Sequence, residues 1–135
     1  MPATLNLAAS AAVALAGLVH VAIFLMESVF WGRPQVHGRF GVRDGSDAET
    51  VRPWAFNQGF YNLLLAVVAF VGVAVGQVDA HTEPSTGAAG VGMALGAVSV
   101  MLGAAIVLVL SDRRMGRPAA VQGFFPLLAV VLIFV

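Results

Sequence analysis

Residues 87–110 read GAAGVGMALGAVSVMLGAAIVLVL, a stretch without one charged side chain. It exceeds the ~20 apolar residues that carry a helix across a ~30 Å hydrocarbon core. Lipid offers the backbone no hydrogen-bond partners, so such a stretch has to satisfy its N–H and C=O groups internally, as a helix. Working outward from it, three more segments have the same character: Leu5–Phe30, Trp54–Gly76 and Ala119–Val135. The first is too long, and too poor in preceding positive charge, for a cleaved signal peptide. The last is the shortest. At a rise of 1.5 Å per residue it covers roughly 25 Å, so it is expected to stand nearly upright or to thin the bilayer locally. A re-entrant last segment is the weaker alternative.

Composition agrees with this reading. Of 135 residues, 59% are hydrophobic and 10% charged, with a mean hydropathy of +0.91. Soluble domains carry about 25% charged residues, so most of this surface is expected to face lipid. The expected fold is all-α, one membrane-spanning four-helix bundle over residues 1–135. Net charge is zero, and cysteine is absent. Disulfides, thiolate metal sites, iron–sulfur clusters and cysteine nucleophiles are therefore excluded. No cofactor is expected. Every basic residue is arginine, and with the Ala, Gly and Val richness this points to a GC-rich, bacterial genome and a bacterial plasma (inner) membrane.

The arginines orient the spans. Arg33, Arg39, Arg43 and Arg52 lie between the first two segments, and Arg113, Arg114 and Arg117 between the last two. The N-terminal residues and the middle link, with Asp79, His81 and Glu83, hold no basic side chain. Four spans put both arginine-bearing links on one side, which the positive-inside rule makes cytoplasmic. Both termini then lie on the outer side. Trp31 and Trp54 flank the first link, where an aromatic belt belongs. Ser46-Asp47-Ala48-Glu49 has capping-box spacing and predicts a short helix leading to Pro53. Asp44, Asp47 and Glu49 read better as solvated acids beside arginines than as a metal cluster, and His37 and His81 as exposed loop residues; no metal site is expected. Nucleic-acid binding is not expected either, because the arginines are balanced by acids and adjoin the membrane.

Gly92, Gly96, Ser99 and Gly103 form a small-residue stripe on the third span, and Gly72 and Gly76 a pair on the second. Such stripes let membrane helices approach closely. Packing inside the bundle is the favoured use; a homodimer face is the alternative.

Function, where legible, lies in polar side chains within the spans, which cost several kcal/mol unless paired or hydrated. His20 and Glu27 share a face of the first helix, ~10 Å apart along the axis. Asn57, Gln58, Tyr61 and Asn62 open the second, and Gln122, Gly123 and Pro126 lie near the start of the fourth. With the helix directions set by the arginines, Glu27, the 57–62 cluster and Gln122 are expected at one cytoplasmic level. Structural hydrogen bonding between helices is the competing account, and for the amides the favoured one.

His20, Glu27 and Trp31, then Asn57-Gln58-Gly59-Phe60-Tyr61-Asn62, then Gln122-Gly123 with Pro126, resemble the small bacterial membrane proteins grouped as domain of unknown function 1304. The resemblance spans nearly the whole chain, and the 57–62 run is its most specific part. Leu63 follows where that family often has glycine. The resemblance implies four membrane helices and singles out these positions; it implies no activity.

Three functions compete. In the first, the spans form a pocket that binds, and in the enzyme version converts, a lipophilic small molecule. Glu27 would then donate or accept a proton with His20 or Tyr61 as partner, while Asn57, Gln58, Asn62, Gln122 and Trp31 line the substrate. In the second, Glu27 and His20 relay protons or a small solute. In the third, the protein is a non-catalytic accessory whose polar cluster specifies packing.

Overall fold

The computed structural model describes residues 4–77 and 83–135, so Asp79 and His81 of the middle link lie outside the described residues. The fold is all-α. Helix α1 is Leu7–Phe24, continued by a π-helical turn at Leu25–Val29; α2 is the short Pro34–His37; α3 is Gly45–Val75; α4 is Pro84–Ser111; and α5 is Gly116–Ile133. Among the described residues four stretches are long and apolar enough to cross a membrane: Leu7–Val29, Gly45–Val75, Pro84–Ser111 and Arg113–Ile133. The protein is a multi-pass membrane protein.

Three of these spans start earlier than hydropathy suggests, α4 by three residues at Pro84. Helix α3 is continuous from Gly45 through Pro53, so the short helix expected before Pro53 is the first part of the membrane helix itself. Asp44 caps it, not Ser46: its Oδ1 accepts from the Ser46 N–H (2.8 Å) and hydroxyl (2.7 Å), and its carbonyl takes the Ala48 N–H. A capped start of this kind satisfies donors the helix cannot. The two bonds from Ser46 hold the Asp44 carboxyl below its ordinary range. Glu49 pairs with Arg52 at 3.6 Å, largely exposed. Helix α5 likewise begins at Gly116, with Pro118 in its first turn, where the missing N–H costs nothing. With the 3₁₀ turn Arg113–Met115 before it, the last span reaches 21 residues, longer than the Ala119–Val135 expectation.

The chain divides into two compact units, Met1–Val19 with Leu65–Val135, and His20–Leu64. In the first, segments of all four long helices pack as a four-helix bundle. Its core is mostly small: Ala9, Ala12, Val13 and Ala16 from α1, Ala69 from α3, Val91, Ala94, Ala97, Val98 and Met101 from α4, and Ala129 and Ile133 from α5. Between membrane helices the attraction is van der Waals contact, which small side chains increase by letting backbones close in. Glycines bring α3 and α4 close together. A Cβ on Gly72 would press on the Ala94 backbone, and one on Gly90 would strike the backbone of Val75 and Gly76.

Gly72 and Gly76 are thus packing residues, but their partner is not the stripe singled out from sequence. Gly96 and Ser99 are exposed, Gly92 and Gly103 half-buried, and a Cβ at Gly96 or Gly103 would meet nothing within 4 Å. The buried face of α4 is Gly87, Gly90, Val91, Ala94, Ala97, Val98, Met101 and Ala105. Both faces are rich in small residues, so spacing alone did not separate them.

Where the chain enters α1, hydrogen bonds bind the helix ends to one another. Asn6 accepts from the Ala9 N–H (2.7 Å) and donates to the Leu132 carbonyl near the end of α5 (3.0 Å). The Leu5 N–H donates to Gly76 O (3.0 Å), and Gln77 donates to Ser10 Oγ (2.7 Å) and Leu5 O (3.3 Å). Each bond satisfies a polar group that a helix end or entry leaves over.

In the second unit Trp31 is the centre of the loop rather than a belt residue. It is 4% exposed, donates from Nε1 to Ala48 O (2.9 Å), and packs on the rings of Phe40 and His37. His37 is buried, not an exposed loop residue. Its Nδ1 lies 2.5 Å from Val42 O, and because a carbonyl only accepts, that nitrogen carries the proton. Gly41, at φ +81°, makes the left-handed turn that closes this loop. Trp54, in contrast, is 68% exposed and suits an interfacial belt.

Candidate functional site

The second unit also contains a buried side-chain hydrogen bond between two spans. Glu27 sits in the π turn, where the Phe30 N–H reaches back five residues to Leu25 O (2.8 Å). The extra residue widens the turn and re-aims the side chains that follow, a distortion frequent at functional sites. Glu27 is 8% exposed and Asn62 of α3 is 6% exposed. Asn62 Nδ2 donates to Glu27 Oε2 (3.0 Å) and to the Gln58 carbonyl one turn back (3.1 Å). Both amide protons are therefore used, and the second bond fixes the orientation of the first.

The neighbouring residues set how closely α1 and α3 approach. Ser28 donates its hydroxyl to Phe56 O (2.9 Å). Gly59 lies opposite: a Cβ there would collide with the Ser28 hydroxyl and come within 3.1 Å of the Glu27 Cβ. Phe60 packs edge-on to Phe24 with ring centroids 5.2 Å apart and against Phe56 at 4.9 Å. Among the described residues, the carboxyl is held by one amide, that of Asn62.

The other sequence candidates fall in different places. His20 is fully buried in α1, seven residues before Glu27. Of the two polar faces expected on α3, only Asn62 turns inward; Asn57, Gln58 and Tyr61 are exposed, Tyr61 by 58%. Trp31 is committed to the loop core described above. Gln122 is half-buried on α5 and belongs to the first unit, where the adjacent Gly123 packs close to Ala105. Pro126 is fully buried there. Asp44, Asp47 and Glu49 are all exposed, with Asp44 committed to Ser46 and Glu49 to Arg52.

Sequence reasoning passed over Ser28 and named Gly59 only as part of the 57–62 run, without a role. Ser28 adjoins the one carboxylate of its span, and Gly59 sits one turn before Asn62 inside the most distinctive run; both signals were present without a partner to give them meaning. The π turn had no signal in spacing.

The family described as "Protein of unknown function (DUF1304)" matches residues 14–134. No curated protein and no solved structure matches the chain.

Proposed function

The chain belongs to the DUF1304 family of unknown function, and from the geometry of its Glu27 site we propose that it binds a lipophilic small molecule through that carboxyl. The observation that carries the reading is the Glu27–Asn62 pair, a buried ionisable group held by a single side-chain amide. An interhelical hydrogen bond contributes only ~0.6–2 kcal/mol. An acidic residue costs ~2.5–3.5 kcal/mol on insertion scales at the centre of a span and less towards its end, where Glu27 sits in Leu7–Val29. Packing alone would be served as well by glutamine, so the acid is better explained by a ligand that donates a hydrogen bond to it. Asn62 orients the carboxyl, Ser28 and Gly59 set the helix separation, and His20 is the second polar contact further along α1. Conversion of the ligand would use Glu27 and His20 as proton-transfer partners, with Tyr61, Asn57, Gln58, Gln122 and Trp31 in lesser, orienting roles. With the arginine-bearing links inside, as the positive-inside rule has it, the site lies towards the cytoplasmic face of a bacterial plasma membrane.

A second reading, a non-catalytic accessory protein, draws on the tight Gly59–Ser28 approach, which a pure packing device would also need. One experiment separates them. Wild type, Glu27→Gln and His20→Ala are purified in detergent, and their melting temperatures and co-purifying lipophilic molecules (by mass spectrometry) are compared. Loss of a bound molecule from Glu27→Gln, with stability unchanged or raised, is expected, since functional polar groups commonly cost stability. Earlier melting with no change in bound molecules sinks the binding reading. Proton flux in liposomes that disappears with Glu27→Gln would replace it with transport.

A further inference from the structure

The first unit carries an apolar groove of about 270 Å³ between α4 and α5, lined by Ala105, Ile106, Val109, Gly116, Ala119 and Ala120. It is smaller and more open than the ~300–1,000 Å³ clefts that enclose compact small molecules, a shape suited to one extended hydrocarbon chain. Four of the six lining residues are glycine or alanine, so the trough comes from missing side chains. It ends at the turn joining the two helices, where Arg113, Arg114 and Arg117 are all exposed.

The charge there is unbalanced. Asp112 is the one acid in that turn, and its carboxylate accepts from the Arg114 backbone N–H (2.9 Å), capping the 3₁₀ turn. The link between α1 and α3 differs. There Arg33 lies over the Phe30 ring at 4.4 Å, Arg52 pairs with Glu49, and Asp44 and Asp47 add two more acids. Basic residues at the end of a membrane helix attract anionic headgroups, and arginine matches phosphate with a two-pronged donor set.

We propose that the α4–α5 groove is a binding site for an anionic phospholipid, with one acyl chain along Ala105–Ala120 and the phosphate held by Arg113, Arg114 and Arg117. The site is independent of Glu27 and of the function proposed for it.

The test uses the full chain in nanodiscs of phosphatidylcholine containing a minority of phosphatidylglycerol, with retained lipids counted by native mass spectrometry. Wild type should retain phosphatidylglycerol in preference to phosphatidylcholine. Each arginine near a headgroup contributes about fivefold, so Arg113→Gln/Arg114→Gln/Arg117→Gln should abolish the preference. Arg33→Gln/Arg39→Gln/Arg43→Gln, which removes the same charge from the other link, should keep it. Ala120→Trp fills the groove from its exposed side and should lose the retained lipid while helix content by circular dichroism is unchanged. Absence of a preference in wild type overturns the site. So does equal loss from the two arginine sets, or full retention by Ala120→Trp, either of which would mean diffuse attraction to the membrane surface.

Discussion

Glu27, Ser28 and Gly59 act as one local device. Ser28 holds α1 to α3 through Phe56 O, and Gly59 leaves the space that this bond and the Glu27 Cβ occupy. In Gly59→Ala the new methyl displaces the Ser28 hydroxyl from its acceptor, so the cost should be that of one hydrogen bond, about 1 kcal/mol. Ser28→Ala should cost a similar amount, and the double variant less than the two together, because both lose the same bond. Unfolding by denaturant in mixed micelles measures this cycle. Additive losses would mean that Gly59 is not placed by Ser28. The same residues show what was legible beforehand. Glu27 and Asn62 were recognisable because acids and amides are rare in spans, whereas Tyr61 and Asn57 looked equivalent to Asn62 and proved to be exposed. Residue type gives the cost of burial; it does not give which side of a helix is buried.

At the scale of elements, helix approach is set by small residues whose position matters more than their number. Gly90 faces the backbone of Val75 and Gly76, while Gly96 faces open space. Gly90→Leu should force α3 and α4 apart and destabilise by about 1–3 kcal/mol or more. Gly96→Leu should stay within about 0.5 kcal/mol of wild type, as surface substitutions do. Thermal melts of the two variants in one detergent make the comparison; equal losses would refute the assignment of the packed face. The capped start of α3 has a pH signature. Asp44 is held below its ordinary value of 3.8 by Ser46, so its contribution is fully present above that pH and is lost as pH falls through the depressed folded-state value. Asp44→Ala should therefore melt earlier than wild type near neutrality, with the gap closing in strong acid. A gap independent of pH would show that the carboxylate charge plays no part.

For the whole molecule, the positive-inside rule predicts both arginine-bearing links on the cytoplasmic side and both termini outside. Reporter fusions after Val135 and at Arg114 should read opposite sides, with Val135 outside. A cytoplasmic signal from Val135 would overturn the orientation and move the Glu27 site to the other leaflet. The expected bundle of four long apolar helices is present. The Glu27–Asn62 pair and the Trp31 loop core belong to His20–Leu64, while Gln122 and the helix-end bonds of Asn6 and Gln77 belong to the other unit. Depth along a span follows from topology; which helix face meets which does not.

The sequence by itself determined the helical fold, the number of spans and the family, because hydrocarbon leaves an apolar backbone stretch one way to satisfy its polar groups. It also marked Glu27 and Asn62, since their chemistry is costly wherever they sit in lipid. Tertiary structure alone decided the rest. It chose the Gly90 face of α4 over the Gly96 face, buried Trp31 and His37, ran α3 through Pro53 from the Asp44 cap, and placed the π turn that aims Glu27 at Asn62. Each of those outcomes depends on what lies opposite a residue in space, and spacing along one helix contains no record of its neighbour.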